Sequence, residues 1–220
     1  MSPSALYFIT GSPGAGKTTL LKRVVADYYP AGVEQSLGVT PSLSTTQLVV
    51  ERVPSAALTS TLTSAIHSLC DAAYDTPTAP LFESLGPGEH LLGFQGTVLV
   101  SHLMWVTRWL QPAGARALKT SYVEMVATAP DSQRRGYASA LLEKFVSCAG
   151  DYDLAALCPA TEGLYARLGW RFWQGPLYAR KDGRLLATPE ERVMILILPR
   201  TPLLDLDAPL SVEWRPGEVW

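Results

Sequence analysis

The order of segments after residue 46 is the feature that most constrains the fold of this 220-residue chain. Alternating or continuous apolar runs predict strands, and apolar residues at helical spacing predict helices. The segments follow the order β, α, β, β, β, α, β, α, β, β, with a hairpin at Gly96 between the second and third strands. This order predicts a complete domain over residues 46–220.

A phosphate-binding motif precedes that domain. Gly11 to Thr18 read GSPGAGKT, the G-x-x-x-x-G-K-T spacing of a P-loop, between an apolar run and a helical pattern. No later strand ends in the acidic residue with which a P-loop enzyme helps to hold magnesium. A lone βα unit also cannot bury its own faces. We therefore interpret residues 1–45 as a P-loop-like βα appendage and linker, whose helix start could bind a phosphate.

Composition narrows the classes of function. A formal net charge of -2 argues against non-specific nucleic-acid binding, and no apolar stretch reaches membrane-spanning length. The three cysteines show no metal-ligand spacing and are odd in number, so we expect a reducing, cytoplasmic environment. His67, His90 and His102 are scattered along the chain, so we expect neither a metal site nor a histidine-driven triad.

A second glycine motif, QRRGYA at 133–138, carries more chemical information. Gly136 permits close backbone approach, the helix start favours an anion, and Arg134 and Arg135 add fixed cations. Between the strand YVEMVAT and a helix, this motif resembles the coenzyme A pyrophosphate loop of the GCN5-related N-acetyltransferases (GNAT superfamily). The order of elements is similar to that family as well. The resemblance implies an α/β (α+β) GNAT fold, with a mixed, mostly antiparallel sheet flanked by helices.

The same resemblance implies acetyl-coenzyme A as the cofactor and indicates which residues bind it. Backbone groups of Val126 and Thr128, on the preceding strand, would contact the pantetheine arm. The loop and helix start would hold the pyrophosphate through six residues: Gln133, Arg134, Arg135, Gly136, Tyr137 and Ala138.

Three separated motifs make the resemblance more specific. YVEMVAT, LYARLGW and the terminal EWRPGEVW are similar, in order and spacing, to YVEGVAV, LYASRGW and DWRAGDVW of the aminoglycoside 2′-N-acetyltransferases. The likeness covers about residues 47–220. It implies direct acetyl transfer to the 2′-amine of an aminoglycoside in a ternary complex, antibiotic resistance as the outcome, and a homodimer.

Glu124 and Tyr165 are the candidate catalytic residues. Glu124 lies inside an otherwise apolar strand, where a buried carboxylate is costly unless it has partners or a function. Acetyl transfer to an ammonium substrate needs a proton acceptor first and a proton donor for the departing sulfur last. Glu124 could accept the proton, directly or through water, and Tyr165 could donate one. The alternatives are an outward-facing glutamate and a tyrosine that only packs.

A polycationic substrate predicts several carboxylates in its pocket. Matching the motifs places substrate contacts at seven positions: Asp75, Glu124, Met125, Cys158, Glu191, Glu218 and Trp220, the last through the terminal carboxylate. Four of these depart from the family pattern. Met125 replaces a glycine, Cys158 replaces a serine, and glutamate replaces aspartate at positions 191 and 218.

Other functions are compatible with the sequence. The same fold could acetylate another amine, such as a polyamine, peptide or metabolite, without an acidic pocket. A P-loop nucleotide-binding protein would lose nucleotide affinity on Lys17→Ala. A drug-sequestering module would bind an aminoglycoside without releasing coenzyme A thiol.

Overall fold

The computed structural model describes residues 5–9, 20–24 and 47–220. The first two segments are strands β1 (Ala5–Ile9) and β2 (Leu20–Val24), which pair antiparallel. The helix that the sequence predicted after Thr18 is therefore wrong over β2. A short lone helix is marginal in water, whereas pairing with β1 satisfies the backbone groups of both segments. The predicted P-loop, Gly11 to Thr18, lies outside the described residues.

Residues 47–220 form a ten-stranded sheet with helices on both faces. Its strands in chain order are β3 (Leu48–Pro54), β4 (Glu89–Gln95), β5 (Val98–Pro112), β6 (Leu118–Thr128), β7 (Leu154–Leu157), β8 (Arg171–Phe172), β9 (Leu177–Lys181), β10 (Arg184–Ala187), β11 (Met194–Ile197) and β12 (Leu210–Glu213). The helices are α1 (Ser60–Tyr74), α2 (Ala79–Leu85), α3 (Tyr137–Cys148) and α4 (Glu162–Arg167).

Strand β5 is the centre of this sheet. The order is β10–β9–β12–β5–β6–β7–β11–β8, and β4 pairs with the first half of β5 while carrying β3 on its outer side. Within residues 47–220, β6–β7 and β12–β9 are parallel pairs and the remaining pairs are antiparallel. The predicted mixed, mostly antiparallel sheet with flanking helices is thereby confirmed.

The two longest helices cover opposite faces of the sheet. Thr59 caps the start of α1 by accepting a hydrogen bond from the Leu62 N–H at 3.2 Å. The buried face of α1 consists of Ile66, Leu69, Cys70 and Tyr74, and that of α3 of Leu141, Leu142 and Phe145. Both sets recur at the three- and four-residue spacing of a helix, so each helix buries one stripe against the strands. Burying each large apolar side chain contributes about 1.5–3 kcal/mol.

Four features differ from the sequence prediction. Helix α2 begins within the proline-containing segment that was expected only to interrupt the chain, and Pro80 lies in its first turn. The single strand expected after Gly169 is divided into β8 and β9. Strand β10 forms where no element was predicted, and the expected tail contains β12. The hairpin at Gly96 is confirmed, with this residue at φ 59° between β4 and β5. None of the helices in the described residues is long and apolar enough to cross a membrane.

Candidate active site

Strand β6 has a hydrogen-bonding edge that is only partly used. It pairs with β7 over Thr120–Tyr122 alone, although β6 continues to Thr128. An extended ligand with amide groups can add to such an edge as a further strand does. Both predicted pantetheine contacts lie on this stretch and already accept one hydrogen bond. Tyr74 donates to the Val126 carbonyl at 2.9 Å, and the Gln133 amide donates to the Thr128 carbonyl at 3.3 Å.

The loop after β6 presents backbone N–H groups at the start of α3. Gly136 is the N-cap residue at φ 82°, and Arg134 lies at φ 62°, both in the left-handed region. Since glycine has no capping side chain, the N–H groups of the first turn, beginning at Tyr137 and Ala138, can donate to an anion. A Cβ on Gly136 would meet no atom within 4 Å, so glycine is needed here for its conformation. Arg134 and Arg135 are exposed beside it.

A β-bulge next to Glu124 interrupts the pairing of β6 with β5. His102 lies opposite Ala127 and Met104 opposite Glu124, so three steps along β6 span two along β5. Met125 absorbs the extra residue at φ 52°, a conformation that glycine adopts freely and that other residues adopt rarely. Its side chain is buried in the apolar core.

Glu124 is paired with an arginine of the terminal segment. Arg215 Nη2 donates to Glu124 Oε1 at 2.7 Å, and each side chain is 11% exposed. Arg215 Nε also donates to the Glu218 carbonyl, so one guanidinium joins the terminal segment to β6. Glu124 is therefore not the outward-facing glutamate that the sequence left open. The ion pair accounts for a carboxylate inside this strand.

The environment of Glu124 changes its affinity for a proton. Burial raises the pKa of this carboxyl above the usual value for glutamate, while Arg215 and Arg108 oppose the shift without reversing it. A carboxylate whose pKa lies closer to neutrality accepts a proton more readily than an ordinary glutamate does.

A second buried arginine, Arg108, lies near this pair. Its Nε and Nη2 donate to the Glu213 side chain and to the Glu213 carbonyl, both at 2.6 Å, and its guanidinium carbon is 5.6 Å from the Tyr122 ring centre. Three buried side-chain atoms in the described residues have no partner: Arg108 Nη1, Arg215 Nη1 and the Tyr122 hydroxyl. Unsatisfied polar atoms are rare in folded proteins and often mark functional positions.

Tyr165 lies on α4 with its side chain almost fully buried. Its ring makes an edge contact with Trp170, at 6.1 Å between centres, so the packing alternative describes part of its role. Burial raises the pKa of the phenol, and the nearby Cys158 thiol adds to the shift. The hydroxyl therefore keeps its proton at neutral pH and is a possible proton donor.

Tyr74 lies near several of the residues that the sequence predicted to belong to the site. Burial raises the pKa of its phenol, and nearby groups that include Tyr165, Glu124 and Glu218 raise it further. The Tyr74 phenol thus interacts electrostatically with both candidate catalytic residues and with one predicted substrate carboxylate. Its hydroxyl also reaches the Val126 carbonyl, so α1 joins the cofactor and substrate sides of the site.

Two further predicted substrate contacts meet beyond the end of β7. The Cys158 thiol donates to Glu191 Oε2 at 3.7 Å. Glu191 lines a surface cavity of about 680 Å³ together with Glu162, Tyr178, Thr188 and other residues. Two carboxylates therefore border this cavity.

The end of the chain packs against the same region. Val219 and Trp220 are 5% and 2% exposed, which confirms the burial expected from their apolar side chains. The Trp220 indole donates to Thr188 Oγ1 at 2.8 Å. Because Thr188 lines the cavity with Glu191, the terminal residue adjoins one of the predicted carboxylates.

Asp75 is exposed and has a structural explanation. It ends α1 in the left-handed conformation, at φ 54°, which aspartate tolerates better than most residues. The neighbouring Asp71 organises the following turn, since its Oδ1 accepts hydrogen bonds from the Thr78 N–H at 2.7 Å and hydroxyl at 2.6 Å.

The three histidines, which are scattered along the sequence, come close together in the fold. His90 Nδ1 lies 2.9 Å from His102 Nε2. The Phe82 ring lies near both His67 and His102, at 4.8 and 5.8 Å between ring centres. His90 lies opposite Met104, and His102 lies opposite Leu92, which is two residues along β4 from His90. The two histidines are therefore diagonal neighbours across the predicted hairpin. In the described residues, no three His, Cys, Asp or Glu side chains form a metal-binding group.

Arg215, Tyr74 and Tyr122 were also missed by sequence reasoning. Arg215 lies inside the terminal motif EWRPGEVW, three residues before a predicted substrate carboxylate, and that position was the available signal. The two tyrosines occupy ordinary core positions on α1 and β6, where the pattern of apolar residues does not distinguish a packing role from a chemical one.

Known proteins show similarity to the region that holds this site. The family model for the acetyltransferase (GNAT) domain matches residues 57–173. An aminoglycoside 2′-N-acetyltransferase of Mycolicibacterium fortuitum is 32% identical over 140 residues, which are 60% of this chain and 71% of that protein.

Two solved structures show similarity to this chain. A GCN5-related N-acetyltransferase from Kribbella flavida has 20% identity and a TM-score of 0.47, with 61% of this chain and 36% of that one covered. A GNAT family acetyltransferase from Brucella melitensis, in complex with acetyl-CoA, has 14% identity and a TM-score of 0.46, with 73% and 94% covered. This chain thus spans about a third of the first protein and most of the second. Both likenesses are weak and concern the fold alone.

The matched range includes β4 to β6, the loop at 133–138 and helices α3 and α4. It covers more than half of the chain, and it contains Glu124, Tyr165 and the loop around Gly136. The chain belongs to the GNAT acetyltransferases, which use acetyl-coenzyme A.

Proposed function

We propose that this protein transfers an acetyl group to the 2′-amine of an aminoglycoside antibiotic and thereby confers resistance. The observation that carries the proposal is a buried carboxylate, Glu124, with a raised pKa and further acidic residues nearby. Tyr74 interacts electrostatically with both Glu124 and Glu218. Glu191 lines the cavity with Thr188, to which the Trp220 indole donates a hydrogen bond. A polycationic substrate is attracted to such a set of carboxylates. The relative from Mycolicibacterium fortuitum supports the same substrate class.

We place acetyl-coenzyme A along the part of β6 that follows Glu124 and on the loop after that strand. Its pantetheine amides would bind the open edge at Val126 and Thr128. Its pyrophosphate would bind the loop formed by Gln133, Arg134, Arg135, Gly136, Tyr137 and Ala138. The bound cofactor supplies an activated thioester, and the protein supplies the proton transfers and the alignment.

We assign the acceptance of the amine proton to Glu124. Arg215 donates to Oε1, so we assign uptake of the amine proton, directly or through one water, to Oε2. Because burial raises the pKa of this carboxyl, it takes up the proton that an ammonium group must lose before it can attack. Arg215 holds the carboxylate in one orientation during this step.

Tyr165 is the proposed proton donor. Its phenol is protonated at neutral pH, as an ordinary tyrosine is, and a thiolate that leaves during transfer needs a proton. Cys158 contacts Glu191, which lines the cavity together with Glu162 of helix α4, and we place the aminoglycoside in that cavity. Asp75, Met125, Glu218 and the terminal carboxylate of Trp220 complete the proposed set of substrate contacts, with Met125 contributing through its backbone.

The first experiment measures thiol release from acetyl-coenzyme A with tobramycin and with kanamycin A. Tobramycin has an amine at the 2′ position and kanamycin A has a hydroxyl there. Turnover with tobramycin alone is the expected result and fixes the position of acetylation. Equal turnover with both drugs would assign the reaction to another amine.

Absence of turnover with either drug, when coenzyme A still binds by calorimetry, would leave a GNAT enzyme for another amine. A polyamine and a short peptide then serve as the next substrates. Light scattering in the same buffers tests the homodimer that the resemblance implies.

A further inference from the structure

A chain of hydrogen bonds runs through the core from Ser55 to the bulge in β6. Ser55 Oγ lies 2.9 Å from His90 Nε2, and His90 Nδ1 lies 2.9 Å from His102 Nε2. His102 Nδ1 lies 2.9 Å from the Met125 carbonyl oxygen. His90 is 3% exposed and His102 is fully buried, whereas the half-buried Ser55 lines a surface cavity of about 280 Å³ together with His90.

The protons along this chain follow from its last member. A carbonyl oxygen only accepts, so His102 Nδ1 carries a hydrogen and its Nε2 accepts one from His90 Nδ1. His90 Nε2 is then an acceptor for the Ser55 hydroxyl. Burial lowers the pKa of His90 to about 4 and that of His102 to about 3, so both rings are neutral at physiological pH. The Cys70 thiol, 3.7 Å from His102 Nδ1, also faces this ring.

A serine hydrogen-bonded to a histidine that a third group orients is also the arrangement of a hydrolytic triad. The surroundings of Ser55 favour a structural anchor instead. Its hydroxyl oxygen accepts a hydrogen bond from the Gly88 N–H at 2.9 Å, and its backbone N–H donates to the Gly88 carbonyl at 2.9 Å, so Ser55 ties the end of β3 to the start of β4. The chain therefore begins at a fixed backbone point and ends at the Met125 carbonyl.

The Met125 peptide needs such support. A residue other than glycine in the left-handed region costs about 1–2 kcal/mol. The bulge also interrupts the ladder between β5 and β6 at this residue, and a buried carbonyl without a donor is costly. The bond from His102 supplies that donor, and it comes from the strand that faces the bulge.

The bulge lies between the proposed base and the first proposed pantetheine contact. Glu124 precedes Met125 and is the proposed base, and Val126 follows it on the edge proposed for pantetheine. A change in the Met125 peptide would turn the Glu124 side chain relative to Arg215. A misplacement of about 1 Å at a reacting group can cost about 100-fold in rate.

We propose that His102, oriented by His90 and Ser55, is a positioning residue that holds the Met125 peptide and thereby fixes the Glu124 carboxylate for proton transfer. The role rests on the proposed function of Glu124 as base. His102 itself touches neither the amine nor the cofactor.

Three variants of the full chain test this role by kinetics. His102→Leu removes the donor, and kcat should fall by about 100-fold while the affinity for coenzyme A changes little. His102→Asn keeps an N–H donor near the position of Nδ1 and should retain most of the activity. His102→Leu combined with Met125→Gly should recover much of the loss, because glycine adopts the bulge without support.

A double-mutant cycle separates positioning from general stability. In the Glu124→Gln background there is no carboxylate to position, so His102→Leu should cause little further loss of kcat. An equal loss in both backgrounds, or a failure of Met125→Gly to restore activity to a variant that is folded by circular dichroism, would overturn the proposal.

A readout without turnover keeps this test separate from the substrate proposal. Nitrogen-15 NMR of the imidazoles should show Nδ1–H on both His90 and His102 at pH 7, and carbon-13 NMR should show that His102→Leu shifts the titration of the Glu124 carboxyl while His102→Asn does not. These results are expected even if no aminoglycoside is acetylated. The other tautomer on His102, or an unchanged titration in His102→Leu, would contradict the proposed role.

Discussion

The two halves of the candidate site are built in different ways. The half proposed for coenzyme A presents mainly backbone groups. They belong to the open edge of β6 and to the exposed loop around Gly136, within one continuous stretch of the chain. The half proposed for the amine substrate presents side chains. These are Glu124 on β6, the contacting pair Cys158 and Glu191, and Arg215 and Trp220 near residue 220. One half is local in sequence, and the other is assembled from distant segments.

This difference explains what each half can recognise. Backbone N–H groups and two exposed arginines recognise a phosphate group whatever the rest of the ligand is. Buried charges such as Glu124 and Arg215 are costly unless they are paired, so their arrangement discriminates more sharply between substrates. We expect substitutions in the amine half to have large effects and those in the coenzyme half to have smaller ones.

The largest effect should come from Glu124→Gln. Loss of a general base costs about 10²–10⁴-fold in kcat/KM, while coenzyme A binding should persist because its cradle is elsewhere. The measurement is thiol release together with calorimetry of coenzyme A. Glu143→Gln, at an exposed position of α3, is the matched control and should be neutral. A wild-type rate in Glu124→Gln would remove this residue from the mechanism.

The pH profile of the same reaction tests the raised pKa of Glu124. The ionised carboxylate is the active form, so activity should fall as pH drops through a value above the usual pKa of a glutamate. The acidic limb of kcat/KM against pH should disappear in Glu124→Gln. An acidic limb that persists there would belong to another group.

Arg215→Met should come next. Breaking a buried ion pair by removing one partner lowers the free energy of unfolding by about 3–5 kcal/mol. The pKa of Glu124 should rise further, since Arg215 is the main cation that lowers it, and the acidic limb should move to higher pH. Denaturant titration measures the first effect. The control is Arg52→Met, because Arg52 and Glu89 form an exposed pair at 2.9 Å, which contributes about 0–1 kcal/mol.

A smaller effect is expected from Gly136→Ala. A side chain at φ 82° costs about 1–2 kcal/mol, so KM for acetyl-coenzyme A should rise while kcat changes little. Steady-state kinetics with varied acetyl-coenzyme A measure this. Gly150→Ala is the control, since a Cβ there meets no atom within 4 Å and its φ is not positive. A change in kcat alone would place Gly136 outside the cofactor site.

The smallest effect is expected from Arg135→Ala. An exposed cation beside a phosphate contributes about 0.2–1 kcal/mol and is screened by salt, so KM for acetyl-coenzyme A should rise several-fold at low ionic strength and less at high. Arg184→Ala, on the exposed strand β10, is the control. An effect that does not change with salt would argue against a phosphate contact.

The contrast between the halves also describes how far the sequence could lead. The hairpin at Gly96 and the loop before α3 follow from local patterns, the sheet class follows from the family resemblance, and all three are confirmed. Glu124 could be singled out because a carboxylate inside an apolar strand needs an explanation. Its partner Arg215 is 91 residues away, and no local rule connects the two.

The errors have the same origin. The helix expected after the P-loop motif is the strand β2 over Leu20–Val24, because pairing with β1 outweighs the local helical pattern. His90 and His102 are 12 residues apart and come together only through the register of β4 with β5. Met125 in the bulge could not be predicted, because the pattern of a regular strand contains no sign of an extra residue.

The position of β12 has a consequence for how this protein is synthesised. Leu210–Glu213 lies between β9 and β5, so the sheet is bridged there by residues that leave the ribosome nearly 100 positions after β5. Until then one edge of the second half of β5 has no strand beside it, and Glu124 has no Arg215. Such long-range pairing slows folding and leaves unpaired edges prone to association. We therefore expect the Glu124–Arg215 pair to form only after β12 and Arg215 have been synthesised.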